Sequence, residues 1–62
     1  MMQGLTEQEV QKLRELITRQ DVEAQKYRTY AQQCQDPQLR DHFSQVAQQA
    51  DQRRQTLLNH LR

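Results

Sequence analysis

The 62-residue chain holds one glycine, one proline, one cysteine, one phenylalanine and no tryptophan. Each scarcity excludes something. With Gly4 as the only glycine there is no phosphate loop, because such loops need several glycines to bring backbone N–H groups against the anion. A lone Cys34 forms no internal disulfide, so no disulfide framework staples the chain. Nine basic and eight acidic residues leave a net charge of +1, and no global field points to nucleic acid or an anionic membrane. No apolar run approaches the ~20 residues of a membrane span, and there is no secretory h-region. These absences predict a soluble, cytoplasmic protein of one domain, residues 1–62, with no nucleic-acid partner and no membrane span.

Only 34% of residues are hydrophobic, a polarity that in other chains signals disorder. Here the apolar residues are few but regularly placed, and fourteen glutamines, good helix formers, fill much of the remaining surface. The organising stretch is Gln35-Asp36-Pro37. Proline is excluded from a helix interior but suits the first helical position, and Asp36 before it is a favoured N-cap. One helix must therefore end before this point and another begin at it.

Upstream, Met1 to Gly4 read as a frayed start, and Thr6 with Glu9 forms a capping box, with Leu5 and Val10 as its hydrophobic staple. Val10, Leu13, Ile17, Gln20, Ala24, Tyr27, Ala31 and Cys34 follow at spacings of three and four, an unbroken heptad seam widened by Leu16, Glu23 and Tyr30. This predicts helix one over about 7–34 and a turn at 35–36. Helix two is predicted over about 37–61, with a seam of Leu39, Phe43, Val46, Ala50, Arg53 and Leu57, widened by Ala47, Arg54 and Leu61. His60 and Arg62 close it, where positive charge suits the helix dipole. So short a connection makes the helices antiparallel neighbours, with Tyr27 near Phe43, Gln20 near Ala50 and Asp51, and Ile17 near Arg54. The stripes span about three positions in seven, which a bundle requires rather than a two-stranded coil. The expected fold is all-α: a two-helix antiparallel hairpin that dimerises into a four-helix bundle.

The middle of the seam is polar, with Gln20, Glu23, Asp51, Arg53 and Arg54 at similar height. An arginine in a seam is costly unless paired, so Arg53 or Arg54 is expected to reach Glu23 or Asp51 as a buried ion pair. A structural, register-setting role is preferred over a functional pocket. A metal site needs convergent carboxylates and imidazoles, yet His42 and His60 lie ~27 Å apart along one helix and share no ion within a subunit. Cys34 is expected as a small buried hydrophobe. Catalysis through it would need a base, and His42, the only imidazole at that end, comes with no third orienting group. Tyr27, Tyr30 and Phe43 are expected in the core, since basic residues are not interleaved among them as in a base-stacking platform. The stripe of Arg28, Arg40, Arg53 and Arg54 is interrupted by Asp36, Asp41 and Asp51.

The run Lys26-Tyr27-Arg28-Thr29-Tyr30-Ala31, then Asp36-Pro37-Gln38-Leu39, Phe43, Ala47 and Leu57-Leu58-Asn59-His60-Leu61, resembles the spore coat protein F-like proteins of endospore-forming bacteria. These are similar to half of a ferritin-like, rubrerythrin-type bundle. The resemblance covers about residues 5–61, and its distinctive elements are K-Y-x-x-Y-A and D-P-x-L. It implies a ferritin-like four-helix bundle and a link to sporulation or the spore coat. In that family a Glu lies seven residues before the first Tyr, and helix two carries His-x-x-His, or Glu-x-x-His in rubrerythrin-like relatives. The matching positions here are Gln20, Ala50 and Arg53, a degenerate site with no good ligand, and Glu23 is the only nearby carboxylate. A fixed charge at Arg53 would repel iron or manganese.

The expectation is a non-enzymatic structural or interaction protein, a homodimer with no cofactor, no catalytic residue and no metal. Its further partners would be other coat or helical proteins, and its place the cytoplasm or the spore. A metal-binding or redox ferritin-like protein using Glu23 with the histidines is the first alternative. A helical adaptor that completes its bundle with a partner's helices is the second.

Overall fold

Thr6 starts the first helix from extended backbone. Its Oγ1 accepts from the Glu9 N–H at 3.1 Å, and its own N–H donates to Glu9 Oε1 at 2.9 Å. This reciprocal pair satisfies two donors that a helix start leaves open. The computed structural model describes residues 4–61, so Met1 to Gln3 of the expected frayed start, and the terminal Arg62, lie outside the described residues. Gly4 forms a turn at φ 87°, a left-handed conformation that suits glycine.

Helix α1 runs over Glu7–Gln33 and helix α2 over Pro37–Asn59, and no strand occurs among the described residues. With no glycine or proline inside α1, nothing interrupts its ladder. Thr18, Thr29 and Thr56 turn their hydroxyls back to the carbonyls of Arg14, Gln25 and Gln52, four residues earlier. The end of α1 comes one residue before the expected boundary. Cys34 is its C-cap in extended backbone (φ −80°, ψ 132°), and its N–H donates to Tyr30 O at 3.0 Å. Asp36 then caps α2 through Oδ1, which accepts from the Leu39 N–H at 2.9 Å, with Pro37 at the first helical position. At the far end α2 stops at Asn59 rather than Leu61. His60 is the C-cap, and the N–H groups of His60 and Leu61 bond three residues back, to Leu57 and Leu58. No basic residue occupies the last turn of α2, because His60 falls just past it.

The two helices pack side by side and antiparallel: Tyr27 and Tyr30 meet Phe43 at the loop end, and Leu13 and Leu16 share a groove with Leu57 and His60 at the open end. The line of contact is made of alanine. Ala24, Ala31, Ala47 and Ala50 are the buried hydrophobic residues among those described, and Ala24 is 0% exposed. Small side chains let two helix backbones approach to the short end of the 8–10 Å range typical of packed helices.

This placement corrects the expected seam. Val10, Leu13, Ile17, Tyr27, Cys34, Phe43, Val46, Leu57 and Leu61 are half-buried, beside the alanine line rather than within it. Leu39 and Tyr30 are exposed, at 46% and 40%. The reason is geometric. Two cylinders touch along a line, and a stripe three positions wide turns only its centre toward one neighbour.

Candidate interaction surface

Each helix carries a heptad-spaced stripe beside its alanines. On α1 it is Glu9, Leu16, Glu23 and Tyr30; on α2 it is Leu39, Val46, Arg53 and His60. Residues seven apart on a helix lie nearly one above the other. The stripes belong to the same face of the hairpin, because Leu16, Gln20, Arg53, Thr56 and Leu57 line one open groove across the two helices. That groove continues toward the open end through Leu16 and Leu57 into one lined also by Leu5, Leu13 and His60. Toward the loop the face ends in a ring cluster. Tyr27 stacks edge-on to Tyr30 at 5.5 Å between centroids, and Phe43 lies 5.6 Å from Tyr27 and 5.7 Å from Tyr30. The face is thus aromatic at the loop end, polar in the middle and leucine-rich at the open end.

The opposite face is polar. A shallow groove there is lined by Arg28, Ser44, Ala47, Gln48 and Asp51. Asp51 Oδ2 accepts from the Arg28 guanidinium across the helix pair, and its Oδ1 lies 3.9 Å from Arg54 Nε. The latter is an ion-pair distance but too long for a hydrogen bond, and Arg54 Nε is buried without a hydrogen-bond partner.

The expected ion pair among Glu23, Asp51, Arg53 and Arg54 is therefore rearranged. Asp51 holds Arg54 and also Arg28, a partner not foreseen because register reasoning compared only seam positions. Glu23 pairs with Lys26 one turn along its own helix, at 3.5 Å. Arg53 makes no ion pair among the described residues, and none of the described charged residues is buried. Gln20 shares its groove with Arg53 and Thr56, about one turn further along α2 than Ala50 and Asp51.

The degenerate ligand positions separate in the same way. Gln20 and Arg53 face one groove, while Ala50 is buried on the contact line. His42 packs beside Phe43 at 6.1 Å between ring centroids, and no hydrogen bond joins it to Cys34, which is half-buried with a free thiol. His60 lies at the other end of α2. Among the described residues no three of His, Cys, Asp or Glu converge as a cation cage would require, and no helix is long and apolar enough to cross a membrane. Leu5 and Val10, the expected staple, line one groove at the start of α1.

The chain matches no family model, no curated protein and no solved structure. What the hairpin does is argued below from its own surface and from the sequence resemblance.

Proposed function

We propose that this chain is a structural or interaction protein without catalytic activity that works by self-association. Two hairpins bury their apolar faces against each other and complete a four-helix bundle. The observation that carries this reading is that among the described residues no large side chain is fully buried, and the buried apolar residues are four alanines. The surface area supports it. The chain exposes 5021 Å², against about 4,200 Å² for a compact monomer of its mass. Its dimensions, 47 × 14 × 10 Å, are those of a layer one helix thick. A second layer on the apolar face would cover Tyr30, Phe43, Leu16 and Leu57 together, adding roughly 25 cal/mol for each Å² of apolar area removed from water.

The resemblance to the spore coat protein F-like proteins connects this bundle to sporulation or the spore coat, where a self-associating helical module would act as scaffold or adaptor. It does not bring iron chemistry with it. Ala50 offers no donor atom, and Arg53 sets a permanent positive charge beside Gln20.

Light scattering at several concentrations, with circular dichroism on the same samples, tests the reading. A helical species of twice the 7.5 kDa chain mass that persists on dilution is the expected result. A monomer with weak helicity would overturn self-association and assign the missing two helices to a different protein.

A further inference from the structure

We infer that the second hairpin docks with its loop at the same end as the first, so that Glu23 of each copy meets the partner's Arg53. This rests on the self-association proposed above and adds its geometry.

Arg53 is the anomaly on the apolar face. It sits in the α2 stripe between Val46 and His60, lines the groove with Leu16, Gln20 and Leu57, and makes no ion pair among the described residues. Covering this face takes its guanidinium out of water. That is unfavourable unless an anion arrives with the cover. The facing stripe of α1 offers Glu23 near that height, flanked by Leu16 and Tyr30, while the stripe's other carboxylate, Glu9, is held in the capping box at the start of the helix. Among the described residues of one hairpin Glu23 is engaged only by Lys26, in a half-exposed pair of the kind that contributes little and exchanges readily. Each copy therefore presents one unmatched cation and one weakly held anion near the middle of the same face. A second copy is the occupant that supplies both complements at once.

A two-fold axis can bring identical faces together in two ways. In both, every neighbouring helix pair is antiparallel, so helix dipoles do not choose between them. The charges do. With the axis across the helices, the loops lie at opposite ends, α1 covers the partner's α1 and α2 covers the partner's α2. Gln20 is the midpoint of α1 and shares its groove with Arg53, so full overlap of the two α1 helices sets Arg53 against the partner's Arg53. Glu23 then falls against the partner's Ile17, leaving two like charges together and two carboxylates on apolar ground. With the axis along the helices, the loops lie at the same end and α1 covers the partner's α2. Glu23 and the partner's Arg53 are then separated in height by three residues, ~4.5 Å, within reach of both side chains. The pair forms twice by symmetry, with aromatic cluster against aromatic cluster and leucines against leucines.

Cys34, the only cysteine, caps α1 at the loop end and serves as a native reporter. A nitroxide spin label on Cys34 in the otherwise unaltered chain gives the distance between the two copies by pulsed dipolar spectroscopy. Loops at the same end place the two labels within about 25 Å, the width of a four-helix bundle plus label arms. Loops at opposite ends place them about 40 Å apart or more, from the 14 residues between Gln20 and Cys34 counted twice. A short distance in a labelled dimer is the expected result. A long one overturns the same-end arrangement while leaving self-association intact. A labelled chain that scatters light as a monomer removes both. Because the label sits near the covered face, the measurement is repeated with Gln35→Cys in a Cys34→Ala background, where the labelled position is exposed. The two labels must agree.

Discussion

Arg28 on α1 and Asp51 on α2 form the one ion pair that crosses between the helices among the described residues. Their side chains are 50% and 32% exposed. Exposed pairs of this kind contribute about 0.2–1 kcal/mol and weaken with salt. The carboxylate also lies beside the buried Arg54 Nε, so the two partners are not equivalent. Arg28→Ala should lower stability by about 0.5 kcal/mol. Asp51→Ala should cost more, about 1–2 kcal/mol, because it strips the nearest charge from a buried guanidinium nitrogen. Urea unfolding of both variants checks the order. Equal losses would show that Arg54 gains nothing from Asp51.

The alanine line makes a second prediction. Ala24 is 0% exposed and Ala47 and Ala50 are nearly so, buried between the two helices. Ala24→Leu should force the helices apart and destabilise the protein by about 1–3 kcal/mol despite adding apolar surface. Val22→Leu, at a position 54% exposed, is the control and should fall within about 0.5 kcal/mol of the parent. Thermal unfolding followed by circular dichroism measures both. A stabilised Ala24→Leu would mean that the contact line has room that packing against the alanines denies.

Phe43 touches Tyr27, Tyr30 and His42, yet it is only half-buried in the hairpin. Its contribution should therefore depend on what covers the face. In a bundle of two hairpins Phe43→Ala should cost about 3–5 kcal/mol, the range for a buried ring, and shift the unfolding midpoint more strongly at low protein concentration. In a lone hairpin the loss would be smaller and independent of concentration. Unfolding curves across a hundredfold range of concentration separate the two outcomes.

Much of the hairpin was legible in the residues because its signals are local. Thr6 with Glu9, Asp36 before Pro37, and heptad-spaced apolar positions each specify backbone geometry within a few residues. The boundaries at Cys34 and Asn59 were less so, since a helix end depends on which carbonyl the last N–H groups find: Cys34 shares its N–H between Tyr30 and Ala31, and α2 closes with bonds three residues back. The side-chain pairing was legible only in part. Spacing places Ala24 and Tyr27 in one seam. Which of them is fully buried against the other helix depends on interaxial distance, and that is set by the smallest residues along the line of contact. Arg28 shows the same limit. It reaches Asp51 from outside the seam because a long flexible side chain is not confined to the face its Cα occupies.

The pairing of Glu23 with the partner's Arg53 yields the last prediction, independent of any distance measurement. Glu23→Arg alone, or Arg53→Glu alone, would bring like charges together twice in each same-end dimer, and each should weaken dimerisation at least about tenfold. The double variant, Glu23→Arg with Arg53→Glu, reverses both partners together and should restore affinity to within about threefold of the parent. Opposite-end docking predicts otherwise. There Arg53→Glu only exchanges a repelling arginine pair for a repelling glutamate pair, and Glu23→Arg adds nothing that the second change can rescue. Lys26, which holds Glu23 within the hairpin, is present in all three variants, so its own interaction with position 23 is measured by Lys26→Gln in the parent and subtracted. Sedimentation equilibrium on the five chains reads the dissociation constants directly. Rescue in the double variant requires that positions 23 and 53 face each other between copies, because within one hairpin they form no pair.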